Sequence, residues 1–232
     1  MVRIEAPAQP LALTGRATGL DLGLGTFATT CDAESDFPNP RLGRGTAKAL
    51  VASQRKLARR RKGSANRAKA RRRRARIEAK IAARRADFHH KAARSLVGAY
   101  DRIGVEKLAV KRLSRRGRGR RKTGLNRSII DAGWGRFLRV LTWQATKAGK
   151  QVVVLPAGGS TQQCSDCGTK AKPRLELSDR VFSCQECGLV LERDRNAARN
   201  LHPDHPRNHR LGCTGAGDDG NKTSGPAGTE AA

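Results

Sequence analysis

The spacing of apolar residues changes several times along the chain, and each change marks an element. In "ATGLDLGLGTFATTC" (17–31), Leu20, Leu22 and Leu24 share one face of a period-two segment, and Gly23 and Gly25 permit a turn. That pattern predicts a tight hairpin. Upstream, Val2 and Ile4 alternate like the last residues of a strand, before Pro7 and Pro10 make a linker. A polar, Pro-rich loop is expected at 32–45. Thr46 is the expected N-cap of a helix running to about Lys62, with Gly63 and Ser64 as its break. A second helix is predicted over about 66–99, because Ile77, Ile81, Phe88, Ala92 and Leu96 fit one helical stripe.

Beyond it, "YDRIGVEKLAV" (100–110) reads as a short strand with Ile103 and Val105 on one face. Residues 111–127 read as a basic, Gly-containing loop that is mobile when free. Ser128 with Asp131 resembles a capping box opening a helix. That helix carries Trp134, Phe137, Leu138, Leu141 and Ala145 on one face and stops at Gly149. "QVVVLP" (151–156) reads as a short buried strand, a cysteine-rich insert occupies 160–190, and a last helix follows. From Pro203 the composition is that of a disordered tail. Hairpin, long helices, strand, helix, strand, insert and helix predict an α/β fold, a mixed sheet with helices packed on it.

Charge sharpens this picture. The chain carries a formal +28, and residues 37–127 hold 32 Lys and Arg against four acids, Glu78, Asp87, Asp101 and Glu106. Thirteen of the 22 residues in 55–76 are basic, too many for an i,i+4 ion-pair lattice whose acids are missing. A one-sign field rich in Arg favours nucleic-acid phosphate as partner, with an anionic membrane surface the weaker reading. The expected contacts are Arg59, Arg60, Arg61, Lys62, Arg71, Arg72, Arg73 and Arg74, with Arg115, Arg116, Arg120 and Arg121 in the second basic segment. No apolar run approaches the roughly 18 residues of a membrane span, and residues 1–20 lack a signal-peptide core. A cytoplasmic, nucleoid-associated protein is expected.

Four of the six cysteines form "CSDCG" (164–168) and "CQECG" (184–188), a C-x2-C-x16-C-x2-C spacing within the zinc-ribbon range. Cys164, Cys167, Cys184 and Cys187 would close a tetrahedral Zn2+ site, hence a structural one. Two disulfides or a redox pair are the bland alternative. Cys31 and Cys213 read as ordinary thiols. The carboxylates are subtler. In "LERDRNAARNL" (191–201), Asp194 shares a helix face with Ala197, Ala198 and Leu201, while Arg195 and Arg199 are expected to face outward. Asp21 lies opposite Leu20 and Leu22, and Glu106 opposite Ile103 and Val105. Each alone reads as solvated or as a helix-terminus charge; together they can converge, as oxygen ligands for Mg2+ or Mn2+ beside a phosphate-binding surface. His202, His205 and His209 read as solvated tail residues, and His89 and His90 as touching solvent or phosphate.

"GLDLGLGTFAT", "IGVEKLAV", "LSDRVFSCQECG" and "RDRNAARNL" resemble the RuvC nuclease and zinc-ribbon region of the insertion-sequence OrfB (TnpB-type) family, across about residues 10–201. The resemblance implies an RNase H-like (RuvC-type) mixed sheet with long basic helices and an inserted four-cysteine zinc ribbon. It implies Asp21, Glu106 and Asp194 as catalytic acids, Mg2+ or Mn2+ as catalytic ions, and Zn2+ on the four cysteines. DNA and a transposon-end guide RNA are the implied partners, and RNA-guided DNA cleavage the implied activity. The expected division is a remnant of an N-terminal barrel and linker at 1–16, and a nuclease core at 17–159 with a basic helical insertion at 46–99. A zinc ribbon at 160–190, the last catalytic helix at 191–202 and a tail at 203–232 complete it. With barrel and recognition region missing, guiding is not expected of this stretch by itself. A non-catalytic nucleic-acid-binding remnant is the competing expectation. The D-x-G-x-G-T run at 21–26 also suits an ATPase phosphate loop, but the chain is too short for such a fold.

Overall fold

The computed structural model describes residues 10–109, 120–156, 158–176 and 178–209. Val2, Ile4, Arg115, Arg116 and Cys213 therefore lie outside the described residues. Strand β1 (Ala17–Leu20) leads into the predicted hairpin, in which Asp21 and Thr29 exchange backbone hydrogen bonds of 2.9 Å, and β2 (Thr26–Ala28) returns. Strand β3 (Phe37–Pro38) pairs antiparallel with β2, inside what composition marks as loop.

Helix α1 (Leu42–Ala58) starts four residues before the expected Thr46 cap and ends before Lys62. The reason is tertiary: both Asp131 carboxylate oxygens accept from the Gly43 N–H, at 3.0 and 2.9 Å, so an acid 88 residues away caps the helix. Helix α2 (Ala65–Ala99) follows the prediction, with the Ser64 hydroxyl accepting from the Arg67 N–H at 3.2 Å. Arg67 also donates to the Leu57 and Arg60 carbonyls, closing the α1–α2 turn.

Strand β4 (Arg102–Glu106) buries Ile103 and Val105 as expected. The basic segment is not a loop throughout, because helix α3 (Arg120–Ala132) begins within it. Ser128 lies inside α3, its hydroxyl donating to the Gly124 carbonyl, so the expected capping box does not form. Asp131 is occupied with α1 and with Arg85, 2.8 Å away. Gly133, at φ 64°, separates α3 from α4 (Trp134–Lys147), whose Trp134, Phe137, Leu141 and Ala145 are buried as the stripe predicts. Strand β5 (Gln151–Leu155) is an edge strand: it buries Val153 and Leu155 but leaves Val154 61% exposed, so it is only half-buried.

The main sheet is parallel, in the order β1-β4-β5. Its two faces are chemically distinct. Leu20, Ile103 and Val105 join Phe27, Leu96, Tyr100, Phe137 and Leu141 in one core under α2 and α4. The other face carries Gly19 and Gly104, adjacent in register, with Val153 and Leu155 beside them. Strands β6 (Val181–Ser183) and β7 (Val190–Glu192) pair antiparallel in the insert, and α5 (Arg193–Asn200) lies on the glycine face. A short α6 (Pro206–His209) folds back from it, within what the sequence marks as tail. Asn208 donates to the Asn200 and His202 carbonyls there.

His89 is one of the polar residues in the core. It is fully buried between Phe27 and Phe137, contrary to the solvent- or phosphate-facing role its basic neighbours suggest. Its Nε2–H donates to the Ala132 carbonyl at 2.9 Å, while Nδ1 has no partner.

Two stability effects follow from this packing. A Cβ on Gly19 would stand 1.9 Å from the Ala198 carbonyl oxygen, whereas one on Gly98 meets nothing within 4 Å. Gly19→Ala should cost at least about 3 kcal/mol in denaturant unfolding, and Gly98→Ala should be neutral or gain up to about 1 kcal/mol. Equal tolerance of both would mean that α5 does not sit on the sheet. Burial, reinforced by the Arg85 and Arg136 charges, lowers the His89 pKa below 6.5 despite the Ala132 carbonyl. The unfolded chain then takes up the proton first, so this contribution is complete above about pH 6.5 and shrinks as the pH falls below it. Thermal unfolding from about pH 7 to 5 should show a shallower loss of stability for His89→Leu than for wild type.

Candidate active site and metal centre

The glycine face positions the acids. Because Leu20 pairs with Val105, Asp21 and Glu106 stand side by side, just at the carboxyl ends of two parallel strands. Side chains alternate along a strand, so both lie on the same face as Gly19 and Gly104. Helix α5 crosses that face in direct contact, and Asp194, in its first turn, is carried toward the β1–β2 hairpin. A Cβ on Gly23 would be 4.0 Å from Asp194 Oδ2.

Asp21 lies in the field of the other two carboxylates. Asp21 is pushed up to about 7, first by burial and then by the Asp194 and Glu106 charges, with Arg193 opposing. Arg193 Nε lies 3.7 Å from Asp194 Oδ1, and Glu106 Oε1 accepts from the Gly158 N–H at 3.1 Å. This is a donor set that a hard divalent cation would satisfy, since it neutralises like charges held together. Their oxygens are not as tightly gathered as the cysteine sulfurs. Among the described residues, only Cys164, Cys167, Cys184 and Cys187 form a group of candidate ligand atoms all within 4.8 Å.

The two cysteine knuckles are built alike. The Cys164 N–H donates to the Thr169 carbonyl and the Gly168 N–H to the Cys164 carbonyl; Cys184, Leu189 and Gly188 repeat the pattern. Gly168 and Gly188 take φ of 81° and 75°, which favours glycine after each pair. No disulfide joins the sulfurs; Cys164 and Cys187 are 3.6 Å apart, Cys167 and Cys184 3.5 Å. Thr169 holds the Cys167 thiol down at about 6. At Cys187 the Leu189 N–H favours the thiolate, but desolvation and the other three sulfurs push it up to about 12. Four thiols this close could bind a metal such as zinc, whose charge would let all four ionise.

Two buried asparagines, which the sequence reading passed over, join the first knuckle to the acid-bearing helix. Asn196 Oδ1 accepts from the Ser165 N–H at 2.9 Å, and its amide donates to the Gln163 carbonyl at 2.7 Å. Asn200, one turn later, donates to the Ser160 and Gln163 carbonyls. Their i,i+4 spacing was the available signal. Arg195 corrects an expectation: it does not face outward but is 13% exposed, paired with Asp36 at 2.7 Å and donating to the Thr30 carbonyl. Arg199 is half-buried, its guanidinium 4.0 Å from the Asp166 carboxylate. His202 and His205 are not simply solvated, since their Nε2 atoms meet the Ala17 and Ser165 carbonyls at 3.1 and 2.8 Å.

The basic residues form a separate surface. Arg59, Arg60, Arg61, Lys62, Arg71, Arg72 and Arg73 are exposed, and Arg74 is half-buried beside Glu78. A cleft of about 380 Å3 between α1 and α2 is lined by Lys56, Arg60, Lys69, Arg72, Arg73 and Arg76. Arg120 and Arg121 lie in the first turn of α3. Among the described residues, no helix is long and apolar enough to cross a membrane.

Comparison with known proteins identifies the family. Residues 1–117 match the OrfB_IS605 family, described as "Probable transposase", and residues 134–201 match the Cas12f1-like TNB domain. A Streptomyces pristinaespiralis protein named "Putative RNA-guided DNA endonuclease" is 37% identical over 85% of this chain and 47% of its own length. An Escherichia coli protein, "Putative RNA-guided DNA endonuclease InsQ", is 34% identical over 85% of this chain and 50% of its own. The chain thus spans about half the length of these relatives. A solved structure of a Cas12f1–sgRNA–target DNA complex shares the fold, with a TM-score of 0.56 at 15% identity over 83% of this chain and 51% of that one.

Proposed function

The chain belongs to the OrfB_IS605 transposase family, and from that premise we propose that it carries the nuclease core of a transposon-encoded DNA endonuclease. In this reading the parallel sheet with α5 is an RNase H-like, RuvC-type core, and β6–β7 with the two knuckles is a zinc ribbon inserted before its last helix. The observation that carries the proposal is the meeting of Asp21, Glu106 and Asp194 at the carboxyl ends of β1 and β4, where α/β sheets commonly bind ligands.

Each residue then has a task. Asp21 and Glu106, fixed by adjacent strands, and Asp194, fixed by α5, hold Mg2+ or Mn2+. Bound there, such ions activate a water and stabilise the leaving oxygen of a phosphodiester. Arg193 offsets part of the negative charge at Asp21. Cys164, Cys167, Cys184 and Cys187 hold a structural Zn2+, and Asn196 and Asn200 transmit its rigidity to α5. The exposed basic residues of the 55–76 and 111–122 segments hold nucleic-acid backbone, an attraction that does not read sequence. Guiding by RNA is named for the relatives, of whose length the chain spans about half, and is not part of this proposal.

Labelled DNA incubated with Mg2+ or Mn2+, with and without co-purified RNA, tests the reading. Wild type should cleave, and Asp21→Asn should fall to background while keeping salt-sensitive binding. Cleavage by Asp21→Asn at the wild-type rate would remove Asp21 from the site. Binding without cleavage by either protein would leave a nucleic-acid-binding remnant. For the cysteines, elemental analysis should find about one zinc per wild-type chain. Cys184→Ser should lose the zinc and melt at lower temperature; a metal-free wild type of unchanged stability would refute a structural site.

A further inference from the structure

The chain has two tryptophans, and they are placed in opposite ways. Trp134 is 6% exposed in the core, whereas Trp143, nine residues along the same α4, is 58% exposed. Trp143 stands with Val140 over an open, apolar depression of about 370 Å3, whose remaining walls are His90, Arg136 and Arg139. Lys147 Nζ lies 5.7 Å from the centre of the indole ring. Helix α4 has no acidic residue, and the nearest acid to His90 along α2, Asp87, is already paired with Lys91 at 2.9 Å. The face is therefore aromatic and apolar at its centre, and positively charged around it.

We propose that this face binds single-stranded nucleic acid, with a base stacked on Trp143 and the flanking phosphates held by Arg136, Arg139 and Lys147. A protein partner would bury the indole against apolar side chains, and a ring of uncompensated cations would be costly there. A single strand supplies both complements, a π-face for the indole and a phosphate for each cation. Duplex DNA supplies only the phosphates, because its bases are stacked on one another. The inference builds on the reading of the chain as a nucleic-acid enzyme, but it concerns another surface: α4 packs on the sheet face opposite α5, away from the three acids. It gives the displaced or single-stranded part of a substrate, DNA or RNA, a place of its own on the outside of the core.

The experiment reads binding, not cleavage, so no divalent ion is added. The 232-residue chain is titrated with short single-stranded DNA, single-stranded RNA and duplex DNA of equal length, following tryptophan emission and, in parallel, anisotropy of labelled strands. Single strands should quench the emission of wild type, and the quenched part should be absent in Trp143→Ala. Trp143→Ala should weaken single-strand binding by about fivefold or more, the weaker end of what one base–aromatic stack supplies, with duplex binding unchanged and Trp143→Phe largely restoring affinity. A larger loss with RNA than with DNA, or the reverse, identifies the strand. Unchanged single-strand affinity in Trp143→Ala, with duplex binding intact, overturns this inference alone. Wild type that binds none of the three overturns the nucleic-acid reading as well.

Discussion

Everything in the candidate site depends on a contact that only glycine permits. Gly19 and Gly104 are neighbours in the parallel sheet, and any side chain there would strike backbone: the Ala198 carbonyl oxygen over one, the Leu201 carbonyl oxygen over the other. Helix α5 therefore lies on bare strand backbone, closer than side-chain layers allow. The contact also fixes the next residues along each strand. Two positions beyond Gly19 is Asp21 and two beyond Gly104 is Glu106, on the same face by the alternation of the pleat. A helix close enough to touch the glycines brings its first turn, with Asp194, to those carboxylates. The glycines are thus the structural cause of the acid cluster.

The same architecture separates charges of opposite sign. The basic residues of 55–76 are mostly exposed, and among the described residues Arg74 alone of these is paired with an acid, Glu78, while three acids meet beside the sheet's carboxyl edge with Arg193 as the neighbouring cation. Arginines nearer the core do other work. Arg85 fixes Asp131, Arg195 fixes Asp36, and Arg67 satisfies helix-end carbonyls. These partly buried pairs specify geometry more than they add stability. A high net charge consequently says little about any one arginine; its position relative to the sheet decides whether it is structural or free for phosphate.

Legibility in the sequence followed how local the determining interaction is. The long helix from Ala65, the buried stripe of α4, the face of β4 and the cysteine spacing could be read because period, cap and spacing lie within a few residues. The opposed placement of Asp21 and Glu106 against their apolar neighbours was legible for the same reason. The start of α1 was not, since its cap comes from Asp131, and losing Asp131 to that task also dissolved the expected cap at Ser128. His89 looked solvated beside basic residues, but the ring packs between phenylalanines from β2 and α4 that only the tertiary fold brings near. Arg195 was misjudged because a helical wheel knows one surface, and the β1–β3 hairpin region supplies a second.

The place of the cysteine insert in the chain acquires a physical reason from Asn196 and Asn200. A helix of eight residues has little stability of its own, and α5 must hold a carboxylate in place at its very first turn. The close-packed glycines hold α5 through Ala198 and Leu201, and Arg195 ties its first turn to Asp36 and the Thr30 carbonyl. Asn196 adds two hydrogen bonds with the first knuckle, at Ser165 and Gln163, and Asn200 extends the seam to Ser160. The second knuckle runs through β7 directly into Arg193, whose N–H donates to the Arg180 carbonyl just before the strand opposite. The helix is therefore held between the sheet and the cysteine module. Disorder in that module would loosen the acid directly, because Asp194 lies between the last strand of the insert and the first asparagine of the seam.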